Sequence, residues 1–576
     1  MQPHKVVPSF MELSTRPKRI QTIPLDLGEI WTAEVIRESW ISLSIHGPLL
    51  YRYHYTYFSS LSCTPSIEKS KRETRRSNLY ITRYTRPFRV MGDSNFRSLQ
   101  PTLQPINRLP ADVFVLIPRF FTKGEIWTQF PMNKPLITMT HVCQSWRNVL
   151  LSIASLWTQI DFSNSTVSQQ KAFVRRSGKQ LLDMYHFLDD RDFIHTISIT
   201  KQNLFRLQGL WITSMVRYLD QFLMAISVAA APELKYLEIV NETTATEVDI
   251  KLPTIFRRQM PKLTNLVLLC IDTNFHGFDF PSLVRFKFET ETEISVQDLT
   301  SLFERSPLLE FVDINLCYEF QQSTHPPHKR VCLATLQELK LGGAACTSGL
   351  LDHLTLPRCT TLMMDCANLG FLYQPVALIH PSSIDHLPVM RGITKAVAVP
   401  SLCAYSGPNG TLRLQRPEIF DSNYFTSYSP ISVLHIKELV VGAVLNAPWK
   451  HAITGICDTF KVLSELEDLT IVSCVAKPFF TSLGTTVDSR ILLPGLRRLS
   501  VYVGFRDLDI PSLIRSAKAR KEHSRLLEEV TVVWEEDPGA GVLQVVEPLR
   551  EFVGELTLRV GEAPELPWND DLDNEY

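Results

Sequence analysis

Pro232-Glu233-Leu234-Lys235-Tyr236-Leu237-Glu238-Ile239 is the stretch that decides the fold. A proline opens it and an apolar residue follows two places on. Leu237 and Ile239 then alternate with Tyr236 and Glu238, the period of a short strand with one buried face. The pattern Pro-x-Leu-x-x-Leu-x-apolar returns at Pro261, Leu263, Leu266 and Leu268, at Pro281, Leu283, Phe286 and Phe288, and at Pro307, Leu309, Val312 and Ile314. Leu336, Leu339 and Leu341 continue it without the proline, and Pro357, Cys359, Leu362 and Met364 form a weaker copy. Later copies run through Ile436, Leu439 and Val441, through Leu466, Leu469 and Ile471, through Pro494, Leu496, Leu499 and Val501, and through Leu527, Val530 and Val532.

The first apolar positions are 29, 20, 26, 27 and 23 residues apart up to Cys359, and 30, 30 and 31 apart from Ile436 onward. A gap of 77 separates the two runs, with Leu402 and Tyr405 as a degenerate copy inside it. One unit of this size cannot bury its apolar face alone, so stacked units must share a core. We read an α/β repeat: a leucine-rich-repeat solenoid over 232–562, a curved parallel sheet with helices or loops outside. Pro before the first Leu fits a chain leaving a helix. The rival fold, a doubly wound α/β domain, calls for a Gly-rich phosphate loop. Gly342-Gly343 fits neither GxGxxG nor GxxxxGK[ST].

Upstream, residues 191–231 read as helical, with Trp211, Tyr218, Phe222 and Ile226 on a broad apolar face. We take 161–231 as a helical linker or cap for the solenoid. Leu136 to Leu151 reads as one helix, and Asp112 to Ile117 as a short helix start that Pro118 ends. Residues 101–160 thus form a small all-α module. Residues 1–100 carry 15 Lys and Arg against 8 Asp and Glu. They include the cluster Lys69, Lys71, Arg72, Arg75 and Arg76, and we expect weak order there. Nucleic-acid binding through that segment is an alternative that steep salt dependence would reveal. Residues 563–576 form an acidic tail.

The whole chain has 576 residues, 59 Lys and Arg, 60 Asp and Glu, and 44% hydrophobic residues. That is a globular composition with no global basic excess, so neither nucleic acid nor a membrane is expected as a partner. The 11 cysteines are odd in number and form no CxxC, which points to the reducing cytoplasm or nucleus. No apolar run reaches a bilayer's length. His325 and His328, separated by two prolines, read as a solvated loop, and Cys359 and Cys366 as core or loop thiols. Glu535-Glu536-Asp537 reads as a charged turn. No GxSxG, HExxH or HRD with DFG occurs, so no catalytic residue, metal or cofactor is expected.

Arg108-Leu109-Pro110-Ala111-Asp112-Val113, His141-Val142-Cys143-Gln144-Ser145-Trp146-Arg147 and Ser155-Leu156-Trp157 carry a resemblance. In this order and spacing they resemble an F-box: Leu-Pro, then Val-Cys-x-x-Trp-Arg, then Leu-Trp. Gln169 to Ser177 resembles the segment that follows it in a large fungal group of F-box proteins with degenerate leucine-rich repeats. Asp112 stands where the family usually has Glu, and Pro118 where it has Phe. The resemblance implies a substrate receptor of an SCF-type cullin-RING ubiquitin ligase. Leu109, Pro110, Val113, Leu116, Ile117, Val142, Cys143 and Trp146 would contact or support the S-phase kinase-associated adaptor, which links to a cullin. Leu156 and Trp157 would support the module. The repeats would bind an unidentified protein to be ubiquitinated. The alternative is a non-catalytic interaction scaffold in which the helical module only caps the solenoid.

Overall fold

The computed structural model describes residues 133–562, apart from 164, 189–192, 215, 243–254, 274, 276, 318–329, 344–348, 366–385, 400–401, 416–434, 443–459, 473–476, 488–489 and 504–508. Leu109, Pro110, Val113, Leu116 and Ile117 lie outside the described residues. So do the basic cluster, His325, His328, Cys366 and the acidic tail.

The described residues build a long, mostly parallel sheet with helices, an α/β architecture. Its first nine strands are β1 (Gln159–Asp161), β2 (Leu182–Leu188), β3 (Leu207–Ser214), β4 (Tyr236–Asn241), β5 (Asn265–Leu269), β6 (Arg285–Thr290), β7 (Phe311–Leu316), β8 (Glu338–Gly343) and β9 (Thr361–Asp365). Each of them pairs in parallel with the next. The second run is β10 (Lys395–Val399), β11 (Leu402–Gly407), β12 (Gly410–Gln415), β13 (Glu438–Gly442), β14 (Asp468–Val472), β15 (Arg498–Val503), β16 (Leu527–Trp534) and β17 (Val553–Val560). From β13 to β17 the order is again sequential and parallel.

Between the runs the order inverts. β9 pairs in parallel with β12, β12 pairs antiparallel with β11 and β11 antiparallel with β10, and β10 pairs in parallel with β13. This explains the 77-residue gap. Leu402 and Tyr405 belong to the reversed strand, so they are not a copy of the pattern. The in-register copy is Ile393 with Ala396, which pairs with Leu439. Alanine in place of leucine hid it.

The recurring apolar positions fall in register. Leu237, Leu266, Phe286, Val312, Leu339 and Leu362 form one row. Ile239, Leu268, Phe288, Ile314, Leu341 and Met364 form the next. All twelve are buried. The corner residue of each copy closes a tight turn: the N–H groups of Leu234, Leu263, Leu283 and Leu309 donate to carbonyls three residues earlier. Pro232, Pro261, Pro281 and Pro307 therefore occupy the second position of a turn. There a fixed φ is an advantage, and the prolines need no preceding helix.

Two expectations are corrected. Residues 191–231 are not continuously helical. α4 (Phe193–Asn203) and α5 (Val216–Ile226) flank β3, whose Leu207 to Ser214 alternates with period two. The sheet thus starts at β1, well before residue 232, and takes in much of the expected helical linker. Leu136 to Leu151 is also not one helix. α1 (Asn133–Thr140) and α2 (Gln144–Ser152) meet at a turn, because Cys143 is extended at φ −158 and ψ 168. Its Sγ accepts a hydrogen bond from the Trp146 N–H at 3.5 Å, which caps α2. Arg147 Nε donates to the Thr140 carbonyl at 2.9 Å and holds the break.

Two buried arginines tie helices to neighbouring turns. Arg206 donates to the carbonyls of Gly178 and Gln180 at 2.6 and 3.1 Å, after α3 (Val167–Arg176). Arg520, on α8 (Ile510–Glu522), donates to the carbonyls of Leu492, Leu493 and Leu496 at 2.9, 2.9 and 3.3 Å. Between α5 and α8 the described residues also form α6 (Val296–Glu304) and α7 (Lys477–Leu483). Glu535 to Asp537 form an exposed bend directly after β16.

Candidate binding surfaces

The first surface lies at the turn between α1 and α2. Val142 is 56% exposed and Cys143 is exposed, an apolar pair flanked by His141 and Gln144. Trp146 is half-buried against the core, as is Leu156. Trp157 is fully buried: its Nε1 donates to the Leu150 carbonyl at 2.9 Å, and its ring meets Phe173 edge-on at 4.8 Å. The guanidinium of Arg176 lies 4.4 Å from the Trp157 ring centroid. The structure brings Val142, Cys143 and Trp146 together over the turn and first turn of α2. Leu136, Met139, Leu150 and Trp157 continue the same core as the sheet.

The second surface is the outward face of the sheet, opposite the leucine rows. Alternation places Asp183, Tyr185 and Phe187 of β2 there, with Trp211 of β3 and Tyr236 and Glu238 of β4. Tyr185 stacks on Trp211 with ring centroids 4.2 Å apart, and Trp211 on Tyr236 at 4.6 Å. Three half-exposed rings thus run across three strands. Gly209 makes room for them: a Cβ there would lie 2.4 Å from the Trp211 ring and 2.6 Å from Asp183 Oδ1. The Tyr236 hydroxyl donates to Glu238 Oε2 at 2.6 Å.

Burial beside this stack raises the Asp183 carboxyl to about 6. It also pushes up the Tyr185 and Tyr236 phenols, with Asp183 and Glu238 respectively adding to the effect. Sequence reading missed this surface. The signal lies in aromatic and acidic residues alternating with apolar ones, but a helical reading of 191–231 conceals it.

Beyond β5 the outward face changes character. Arg285 lies over the Phe311 ring at 4.4 Å, and Lys287 faces Asp313 at 3.8 Å. Lys340 faces Glu338 at 3.7 Å, Lys395 meets Glu438 at 2.6 Å, and Arg498 makes a two-pronged pair with Asp468. These half-exposed pairs are worth about 0–1 kcal/mol each, so they fix surface charge more than stability.

Among the described residues no cluster of three or more His, Cys, Asp or Glu side chains could hold a metal ion. Among them, too, no helix is long and apolar enough to cross a membrane. The chain matches no family model and no curated protein.

Proposed function

We propose that the chain is the substrate-recognition subunit of an SCF-type cullin-RING ubiquitin ligase. An F-box-like segment docks on the S-phase kinase-associated adaptor, and a degenerate leucine-rich-repeat solenoid holds the protein to be modified. The in-register rows of apolar residues support the solenoid reading. The observation that carries the docking reading is Val142: an apolar residue 56% exposed at the start of the Val-Cys-x-x-Trp-Arg motif, between helices whose other apolar residues are buried or half-buried against the core. Its exposure leaves the side chain free to enter an interface, and its place in the motif is what distinguishes it from other exposed apolar residues such as Ile194 and Phe205.

Function on this reading is positional. The receptor raises the effective concentration of the substrate near a loaded ubiquitin-conjugating enzyme, and no residue of this chain performs the transfer. The test is retention of the adaptor by the co-expressed full chain. A fragment ending at residue 200 would part β2 from β3 and expose core. Val142→Asp should abolish retention, and so should Leu109→Ala with Pro110→Ala, since a lost interface anchor costs about 1–3 kcal/mol. Undiminished retention in both variants refutes the docking assignment.

A second reading has its own support. Leu136, Met139, Leu150 and Trp157 bury against the sheet's first edge, which suits a cap on an interaction scaffold. On that reading the wild-type chain retains no adaptor.

A further inference from the structure

The four strands β2 to β5 contain no Lys or Arg. Their outward face carries two carboxylates, Asp183 and Glu238, at the ends of the Tyr185–Trp211–Tyr236 stack. The cations that begin at β6 are already engaged, Arg285 by Phe311 and Lys287 by Asp313. Asp183 is a half-buried carboxylate whose oxygens accept no hydrogen bond and meet no cation among the described residues. Its native surroundings cost stability, since burial without a partner penalises the charged form. Tyr236 is stacked on Trp211 on one side only, and its other face carries no ring and no cation among the described residues. A desolvated carboxylate beside an electron-rich ring face is the chemistry that recognises a guanidinium or ammonium group.

We infer that this face of β2 to β4 is the docking site for an extended basic segment of a partner protein. One cationic side chain lies over the open face of Tyr236 beside Glu238, and a second meets Asp183. The spacing fits. Asp183 is in register with Tyr236 through Gly209, so Glu238 lies two strands across and two residues along, about 12 Å away. Two basic residues four apart on an extended chain point to the same side and, at about 3.3 Å per residue, span about 13 Å, within reach of both carboxylates. Phosphate-bearing partners are disfavoured, because both charges at the site are negative. The inference deepens the proposed function and rests on it only for the meaning of the partner, which would then be the protein presented for ubiquitination.

The experiment is a fluorescence anisotropy titration of a labelled Gly/Ser peptide with two arginines four residues apart, using the full chain without adaptor. A control peptide carries citrulline, the neutral isostere, at both positions. The expected result is saturable binding of the arginine peptide. The citrulline peptide should bind about tenfold more weakly or worse, and the double variant Asp183→Asn with Glu238→Gln should lose a similar factor. An unchanged unfolding transition shows that this variant is folded. Single variants serve if the double variant is not. Equal affinity for the two peptides, unchanged affinity in the folded variants, or no saturable binding overturns the inference. Because no adaptor is present, a failed adaptor interaction leaves this result standing, and the reverse holds too.

Discussion

Asp183→Asn should stabilise the fold at pH 8 and do little at pH 4. The carboxyl sits beside the Trp211 ring, and burial raises it from 3.8 to about 6. A raised folded-state value means that the native protein holds the proton more tightly than the unfolded chain. The favourable contribution is therefore complete below pH 4 and is lost as pH rises through 6. A rise from 3.8 to about 6 corresponds to roughly 3 kcal/mol, an upper bound because the group is only half-buried. Asparagine keeps the shape and removes the titration. Urea unfolding followed by far-ultraviolet circular dichroism, run on both proteins from pH 4 to 8, measures the difference. The variant should gain about 2–3 kcal/mol on the wild type between those limits. A difference that does not change with pH, or a wild type that is the more stable at pH 8, refutes the account of Asp183. A carboxylate that weakens the fold at neutral pH is the kind of group that binding retains.

Two further perturbations test other parts of the fold. His186 is buried between Phe162 and Phe222, with Nε2 3.2 Å from Thr200 Oγ1 and no partner at Nδ1. Burial lowers it to about 3. Here the unfolded chain takes up the proton first, so stability is complete above pH 6.5 and declines toward pH 3, by at most about 4–5 kcal/mol. His186→Phe should remove that acid-side slope, read from the same urea series, and an unaltered slope would sink the assignment. Arg520→Met should cost about 3–5 kcal/mol, because it strands three buried carbonyls. One of them belongs to Leu493, held at φ 51, where a side chain is strained. A shift in the urea midpoint equivalent to less than about 1 kcal/mol would show that the clamp is dispensable.

The strands from β4 to β9 were legible because leucine recurs at fixed offsets and a corner proline marks every turn but the one before β8. β3 was not, because Leu207 to Ser214 lies between two true helices, and its Trp and Leu also fit a helical face. Ala396 concealed β10, since packing in the sheet there needs register and tolerates a small side chain. The antiparallel return of β11 left no trace in the apolar count. For the candidate surfaces, the motif around Val142 was readable, but its exposure was not, since one continuous helix over 136–151 hides the break at Cys143 beside which Val142 lies. The aromatic stack depends on register between strands far apart in sequence. Only Gly209, small where a strand favours bulk, hinted that something packs over it.

The central claim is adaptor docking, and the most direct measurement is the mass of the species formed when the full chain and the S-phase kinase-associated adaptor are co-expressed and separated by size exclusion with light scattering. The account predicts a stable 1:1 complex that Val142→Asp dissolves without unfolding the chain. A folded chain that elutes apart from the adaptor would contradict it and leave the sheet as the surface of an interaction scaffold.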